Sequence, residues 1–314
     1  SPSWRKVQKS SPKTVFLSKL PTKAGLSLNI SDSCPSMCKC SPEDIIHCSR
    51  AGLRALPEEI AASTISLNLS NNYLRILTTN TFRNLTSLHS LWLDGNNLTF
   101  LSPGTFHTLS KLQELHLSRN SRLTYLHDLE TLHDLNLRKN HIWIIQNGAF
   151  TKLLRLSMLN LGHNFIADLP NQLFDGLIQL KTMHLEANRI TAVNCTFRHL
   201  LSLRNLYLNN NQISSISDSA FSYLNKLHFL HLSKNNLSSL PIHLFTELPK
   251  LKYVFLSHNP WKCDCRMRWF CKTFYHSAAP HSIKPQLTWL CIYPCKELIY
   301  LGDGLYELCL PACC

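Results

Sequence analysis

Glycine is scarce in this chain, with only nine among 314 residues. Phosphate-binding loops and the tight turn that exposes a hydrolase serine both need glycine at fixed positions, and neither pattern occurs. The H-E-x-x-H pattern of zinc proteases is also missing. We therefore predict no catalytic residues, no cofactor and no metal, and a chain that is not an enzyme.

Two further absences concern membranes and export. No run of about 18 apolar residues occurs, so we expect no membrane span within the chain. The chain begins with Ser1, and residues 1–33 lack the apolar core of a signal peptide. We expect either that a signal was removed or that the sequence is part of a longer chain.

Acidic residues are few, at 19 against 32 Lys and Arg, and the formal net charge is +13. Residues 1–33 hold six cations before their single acid, Asp32. This composition is typical of a flexible basic arm. Together with the basic region at 260–314, the arm is a candidate contact for glycosaminoglycans or other polyanions; the alternative is a solvated leader without a partner. No nucleic-acid-binding module is present, so we expect no nucleic acid partner.

The dominant feature that is present is a repeat. The frame L-x-x-L-x-L-x-x-N recurs at intervals of 23 or 24 residues, with one interval of 20. Alternation of apolar and polar residues within the frame predicts a short strand with one buried face. The asparagine ends each strand, where its amide can pair backbone groups at the bend. The nine asparagines are Asn72, Asn96, Asn120, Asn140, Asn164, Asn188, Asn211, Asn235 and Asn259.

A phenylalanine follows most of these asparagines by nine or ten residues and predicts an aromatic spine on the convex side. The interval of 20 residues lacks it. We expect either a tighter connection with a local change of curvature there, or a junction at which sequence was deleted. The seven phenylalanines are Phe82, Phe106, Phe150, Phe174, Phe197, Phe221 and Phe245.

Cysteines flank the repeats, as Cys34-x3-Cys38-x-Cys40-x7-Cys48 before them and Cys263-x-Cys265 after Asn-Pro-Trp-Lys. With the repeat frame, they closely resemble extracellular leucine-rich repeat proteins with cysteine-rich caps, such as Slit, the Nogo receptor and Toll-like ectodomains. The resemblance implies an α/β solenoid: a leucine-rich repeat horseshoe with a parallel concave β-sheet, an irregular or 3-10 convex side and disulfide-stapled caps. Together with the composition of residues 1–33, it divides the chain into a flexible basic arm at 1–33, an amino-terminal cap at 34–63, nine repeats at 64–259 and a carboxy-terminal cap at 260–314.

The resemblance also implies how the cap cysteines pair. It gives Cys34–Cys40 and Cys38–Cys48 in the first cap, although four cysteines permit three connectivities. In the second cap it gives Cys263–Cys291, with Cys265 bonded to Cys309, Cys313 or Cys314. Cys271 and Cys295 are left to pair with each other, and Cys195 is expected to be a lone buried thiol.

Thirteen cysteines indicate an oxidising, extracellular location for a secreted or cell-surface protein. Zinc binding by the two C-x-C pairs is the alternative, but C-x2-C is the commoner zinc spacing. Six N-glycosylation sequons agree with export, and one of them, Asn68, lies on a predicted strand where a glycan would obstruct the hollow. The others are predicted as glycosylation sites: Asn29, Asn84, Asn97, Asn194 and Asn236.

The variable positions of each strand face the hollow because the leucines face the core. Aromatic residues and histidines gather there towards the carboxy-terminal end, and aromatic residues dominate binding hot spots. Cross-strand pairing for stability is the alternative reading. The predicted ligand-binding residues are Trp92, His116, His184, Tyr207, His228, Phe229, His231, Lys252, Tyr253 and Phe255.

The many histidines of the hollow suggest two further hypotheses. Binding would depend on pH between about 5 and 7, where histidine changes charge. A metal site made by His184, His228 and His231 is a weaker alternative, because no Asp, Glu or Cys is placed to complete it.

From these observations we predict an extracellular protein-recognition module that binds a protein ligand through its concave face. A receptor ectodomain is the leading form. The alternatives are a secreted inhibitor of an extracellular enzyme such as a phospholipase A2, or a matrix protein that binds collagen or glycosaminoglycan.

Overall fold

The computed structural model describes residues 34–102, 104–120, 129–242, 244–245 and 247–262, together with three strands between residues 284 and 307. The chain divides into two units, Ser1–Asp32 and Ser33–Cys314, and every described residue belongs to the second. Several predictions lie outside the described residues: the basic arm, the sequon at Asn29, the carboxy-terminal disulfides and the connection at 121–128.

The described part of the second unit is a solenoid in which each repeat supplies one strand to a shared sheet, as predicted. A 3-10 helix spans Cys195–Phe197 in the connection of one repeat. The strands in chain order are β1 Lys39–Ser41, β2 Ile45–His47, β3 Ser66–Asn68, β4 Ile76–Leu77, β5 Ser90–Trp92, β6 Phe100–Leu101, β7 Glu114–His116, β8 Asp134–Asn136, β9 Met158–Asn160, β10 Thr182–His184, β11 Ala192–Val193, β12 Asn205–Tyr207, β13 Ser215–Ile216, β14 Phe229–His231, β15 Tyr253–Phe255, β16 Lys284–Pro285, β17 Leu298–Leu301 and β18 Gly304–Glu307.

Within the described residues, twelve strands form one sheet in the order β1-β2-β3-β5-β7-β8-β9-β10-β12-β14-β15-β16. The pair β1 and β2 is antiparallel, and the later neighbours are parallel. Equivalent frame positions lie opposite one another, as Trp92 does to His116. The register also continues across the short interval, where His116 lies opposite Asn136.

The leucine frame explains this register. In β5 the side chain of Leu91 is fully buried, whereas those of Ser90 and Trp92 are partly exposed. Complete burial of a leucine contributes about 1.5–3 kcal/mol relative to leaving it in water. A slip of one residue would turn every leucine of a strand outwards, so the apolar face fixes the pairing.

The phenylalanine spine is present behind the sheet, and its rings stack between neighbouring repeats. The ring centroids of Phe82 and Phe106 are 6.1 Å apart, and those of Phe174 and Phe197 are 5.9 Å apart. All seven phenylalanines are at most 5% exposed. The spine thus fills the second side of the core that the strand leucines begin.

The asparagines form the expected ladder, as Asn164 illustrates. Its Nδ2 donates to the carbonyl oxygens of Leu137 (3.0 Å) and Leu161 (2.9 Å), at the ends of two successive strands. Its Oδ1 accepts from the backbone N–H groups of Asn140 (2.9 Å) and Ile142 (3.0 Å) in the preceding turn. One buried side chain therefore pairs the backbone groups that a strand leaves at its bend.

Asn140, which closes the interval of 20 residues, breaks the ladder. Its Oδ1 accepts from the Asn120 backbone N–H at 2.7 Å, but its buried Nδ2 has no hydrogen-bond partner. In the preceding repeat, the Nδ2 of Asn120 donates to the oxygens of Leu93 and Leu117. The shortened connection thus coincides with an unsatisfied amide.

The amino-terminal cap covers the first repeat with the β1–β2 hairpin. The disulfides Cys34–Cys40 and Cys38–Cys48 are present, in the pairing that the resemblance implied. Ile46 of β2 is buried opposite Leu67 of β3, so the hairpin extends both the sheet and the core. The cap therefore shields the apolar end of the array from water.

At the other end, Trp261 packs against the core, and its indole N–H donates to the Leu256 oxygen at 3.0 Å. One expectation for the repeats is wrong: Cys195 is free, as predicted, but only partly buried, and its Sγ lies 3.2 Å from the Ser219 Oγ. Cys195 begins the 3-10 helix, whose following residues Thr196 and Phe197 take the buried positions instead.

The ladder predicts unequal effects of alanine at two of its asparagines. We expect Asn164→Ala to lower the free energy of unfolding by about 2–4 kcal/mol, because it leaves buried N–H and C=O groups without partners. We expect Asn140→Ala to lower it by about 1 kcal/mol, because its amide nitrogen makes no hydrogen bond to lose. Guanidinium denaturation of both variants, followed by circular dichroism, measures the difference. Equal losses would contradict this account of the short interval.

Candidate functional site

The variable positions of the strands form the open face of the sheet. In strands such as β5, β7 and β12, the middle residue is buried and its two neighbours are partly exposed. Because the strands are in register, their last residues form one column across the sheet, as the frame predicted. This column is Asn68, Trp92, His116, Asn136, Asn160, His184, Tyr207, His231 and Phe255.

Towards the carboxy-terminal end, the rings on four neighbouring strands contact one another. His184 and Tyr207 stack at 4.3 Å between centroids, and Tyr207 lies 4.9 Å from Phe229. The ring of Phe255 lies 5.0 Å from both Phe229 and His231. We call this group the aromatic cluster; its members are His184, Tyr207, Phe229, His231, Tyr253 and Phe255.

The other predicted ligand-binding residues lie apart from the cluster or at its margin. Trp92 and His116 stack at 5.4 Å as a separate pair nearer the amino-terminal cap. His228 and Lys252 directly precede β14 and β15, and the Nδ1 of His228 lies 2.6 Å from the Lys226 oxygen. The predicted set therefore comprises one cluster, one pair and two flanking residues.

The ring contacts agree with cross-strand pairing, which contributes about 0.5–1.5 kcal/mol per aromatic pair. Pairing leaves much of the ring surface open, however. Tyr253 is 48% exposed, and the other members of the cluster are partly buried. The rings therefore stabilise one another and still present an apolar surface to water.

Glu186 lies beside the cluster, and its Oε2 is 3.2 Å from the Nδ1 of His184. Burial alone would raise the pKa of this carboxyl. The hydrogen bond from His184 and the charges of His184 and Arg138 outweigh burial, and the pKa of Glu186 is lowered. A carboxylate is thus held ionised at the edge of an apolar surface.

Burial also acts on the polar members of the cluster. It lowers the pKa of His231, an effect that Lys234 reinforces and Glu186 partly opposes. It raises the pKa of Tyr207, together with the charge of Glu186. Both side chains are therefore held in their neutral forms around neutral pH.

The middle of the open face is acidic. Glu114 lies opposite Asp134 on the neighbouring strand, and its Oε2 accepts from the Ser90 Oγ at 3.0 Å. Burial and the charge of Glu114 raise the pKa of Asp134, while His116 and His133 partly offset the rise. The face thus changes from acidic at its centre to aromatic at its carboxy-terminal end.

One group of residues escaped the sequence analysis. The Arg189 guanidinium carbon lies 4.3 Å from the Phe165 ring centroid and 5.7 Å from that of Trp143. His141 packs on Phe165 at 5.2 Å. These residues follow the ladder asparagines in the turns, outside the strand positions used to locate the hollow. They could have been found from the sequence by examining the residues that directly follow each ladder asparagine, in addition to the strand residues that precede it.

The sequons differ in their surroundings. Asn84, Asn97, Asn194 and Asn236 are exposed, as sites for a glycan must be. Asn68 is partly buried on the open face, and its Oδ1 accepts from the Ser70 backbone N–H at 3.0 Å.

Two kinds of feature are absent from the described residues. No three His, Cys, Asp or Glu side chains there are grouped so that they could hold a metal ion. No helix within this part of the chain has the length and apolarity to cross a membrane.

The leucine rich repeat family profile matches residues 63–121, 130–190 and 196–260. These three stretches make up more than half of the chain and contain all nine ladder asparagines.

Individual proteins share this similarity. Biglycan of dog (Canis lupus familiaris) is 34% identical over 231 residues, which cover 65% of this chain and 62% of biglycan. Nyctalopin of mouse (Mus musculus) is 40% identical over 169 residues, covering 51% of this chain and 35% of nyctalopin. The chain thus spans less than two thirds of either relative. Among solved structures, TLR13 in its complex with ssRNA13 matches with a TM-score of 0.61 at 32% identity, covering 63% of this chain and 29% of that one.

The lowered pKa of His231 predicts a pH-dependent stability. Below the usual histidine pKa of about 6.5, the unfolded chain binds a proton at this residue more readily than the folded chain does. The free energy of unfolding should therefore fall with pH below this value, and His231→Gln should reduce that fall. Melting temperatures of parent and variant between pH 7.5 and 5.5 measure the effect. Parallel curves for the two proteins would refute a buried, neutral His231.

Proposed function

This chain belongs to the leucine-rich repeat family, and on that premise we propose that it is an extracellular recognition module whose concave sheet face binds a protein ligand. The chain is a binding protein and not an enzyme. Its function therefore depends on which surface meets which partner, and the ligand must be inferred from this chain's own residues.

The aromatic cluster is the observation that carries the proposal. Six rings on four adjacent strands contact one another and remain open to solvent, with Tyr253 48% exposed. A contiguous apolar surface of this kind marks an interaction site in soluble proteins. Large rings that are already packed against each other also lose little conformational freedom when a partner covers them.

The extent of the cluster favours a protein over a small molecule. Four strands at a spacing of about 4.8 Å give it a width of roughly 14 Å. Small ligands usually bind in enclosed cavities, whereas this surface is the open face of a sheet. A broad apolar centre suits a protein interface, which buries about 800 Å² on each partner.

Charged residues around the cluster complete the pattern of such an interface. The ionised Glu186 lies on one side, and the exposed Lys234 and Lys252 lie on the other. An apolar centre with a polar rim is the usual arrangement at protein interfaces. The partner is therefore expected to present apolar side chains surrounded by groups that complement these charges.

A receptor ectodomain is the form that we favour. An inhibitor of an extracellular enzyme and a matrix protein are the alternatives, and the identity of the captured ligand distinguishes the three.

The cluster predicts the outcome of a capture experiment. Tyr207→Ala, His231→Ala and Phe255→Ala together remove three rings from its centre. Because truncation of a hot-spot residue costs about 1–2 kcal/mol or more, we expect the triple variant to bind a protein ligand at least about a hundredfold more weakly. Immobilised parent and variant are exposed to extracellular fluid, and the proteins that each retains are quantified by mass spectrometry.

A matched control removes three exposed apolar side chains from the connections between strands, with Ile178→Ser, Leu201→Ser and Tyr223→Ser. These residues are 51%, 54% and 56% exposed, so their replacement should not disturb the fold. The control is expected to retain the ligands of the parent. Retention by the cluster variant, or loss by the control alone, would refute binding at the cluster.

A further inference from the structure

A second candidate surface lies beside the open face, in the turns that follow β7 to β10. Arg119, Lys139 and His163 each directly precede a ladder asparagine, and His141 and Arg189 each directly follow one. We call these five residues the basic flank. They come from consecutive repeats whose strands are neighbours in the sheet, at a spacing of about 4.8 Å.

The side chains of the basic flank are all exposed. Within the described part of the chain, no carboxylate lies within 4.0 Å of any of them. Arg138 adds a further guanidinium, because its Nη2 donates to the His163 Nε2 at 2.7 Å. Arg119, Lys139 and Arg189 are thus exposed cations without an ion-pair partner among the described residues. Cations arranged in a row attract anions.

The turn geometry does not account for these cations. Arg119 and Lys139 have φ angles of 56° and 59°, in the left-handed region that favours glycine and asparagine. Other repeats have Asn71, Gly95 and Asn210 at the same position, as that conformation favours, and also Ala187, Lys234 and His258. The left-handed turn therefore neither requires nor excludes a cation at this position, and the case for the flank rests on the exposure and spacing of its side chains.

Aromatic rings accompany the charges. Phe165 contacts the guanidinium of Arg189 and the ring of His141, and Trp143 meets Phe165 edge-on at 5.9 Å. Trp143 is 64% exposed. The flank therefore offers flat apolar surfaces next to cations, an arrangement that suits sugar rings bearing anionic groups.

The shape of the region favours an extended ligand. An open depression of about 430 Å³ is lined by four residues of the basic flank and by Phe165, and it continues across several repeats. Its lining residues are Asn97, Arg119, Asn120, Lys139, His141, His163 and Phe165. A single small anion would engage one or two of these groups, whereas a linear polyanion can follow the row.

We propose that the basic flank binds a linear sulfated polysaccharide of the glycosaminoglycan class, with its sulfates on Arg119, Lys139 and Arg189 and a sugar ring against Phe165 or Trp143. This surface is distinct from the aromatic cluster. It is also distinct from the basic arm and carboxy-terminal region that the sequence suggested as polyanion contacts. We choose a polysaccharide over a nucleic acid because of the extracellular location proposed above. The inference that this surface binds a polyanion does not depend on that location.

The test compares two triple variants of the full chain that each lower the net charge from +13 to +10. The flank variant carries Arg119→Gln, Lys139→Gln and Arg189→Gln. The control carries Lys111→Gln, Lys226→Gln and Lys250→Gln, which are exposed and lie three residues before β7, β14 and β15, at the opposite ends of the strands. All proteins are enzymatically deglycosylated first, because Asn97 lines the same depression.

Affinity for a heparin dodecasaccharide is measured by surface plasmon resonance at physiological salt. We expect the flank variant to bind about tenfold more weakly than the parent, as the loss of three exposed ion pairs predicts, and the control to change less than twofold. Equal weakening in both variants would show that net charge alone drives binding and would overturn the proposal.

Two further probes test the chemical class. The parent is expected to bind the sulfated dodecasaccharide more tightly than polyglutamate or a single-stranded RNA of similar charge. Tighter binding of either alternative, lost in the flank variant, would overturn the assignment to a sulfated polysaccharide. Neither result depends on the capture experiment with the aromatic cluster, so the two proposals can fail separately.

Discussion

Each repeat strand of the main sheet, from β3 to β15, ends in a bend that would leave buried backbone groups unpaired, and the asparagine ladder pairs most of them. Each regular asparagine donates to the carbonyl oxygens of two successive strands and accepts from the turn between them, as Asn164 does. The leucines supply most of the burial, but burial is not directional. The hydrogen bonds of the ladder hold one repeat at a fixed offset from the next, and both candidate surfaces depend on that offset.

The leucines and asparagines of the frame stabilise the fold. The residue types at the other strand and turn positions can therefore differ from one repeat to the next. On one side of the ladder the strand residues build the open face, with an acidic centre around Glu114 and the aromatic cluster at its carboxy-terminal end. The turn residues directly before and after the ladder asparagines, such as Arg119 and Arg189, build the basic flank. One array therefore presents two surfaces of different chemistry, the aromatic cluster on the open face and the basic flank in the turns.

The frame was sufficient to predict the one strand that each repeat gives to the main sheet, the register of these strands and the column from Asn68 to Phe255, because the period of the leucines allows only one burial pattern. It did not predict the short pairs β4–β6 and β11–β13. The resemblance to capped extracellular repeat proteins implied the disulfides that the amino-terminal cap contains. Two details could not be predicted. The partial exposure of Cys195 follows from the 3-10 helix that it begins. The unsatisfied amide of Asn140 coincides with the short interval before it, but the repeat frame, in which Asn140 matches the other asparagines, does not reveal it.

The sequence by itself determined the solenoid, its register and which side chains face the hollow, because periodic burial is a local property that each repeat carries in its own residues. Only the tertiary structure decided which of those side chains meet. Tyr207 and Phe255 are 48 positions apart in the chain and belong to one cluster through Phe229. Arg189 contacts Phe165 of the preceding repeat, and both residues lie in turns, outside the strand positions that the leucine frame defines. Contacts of this kind depend on the stacking of whole repeats, which no single repeat encodes.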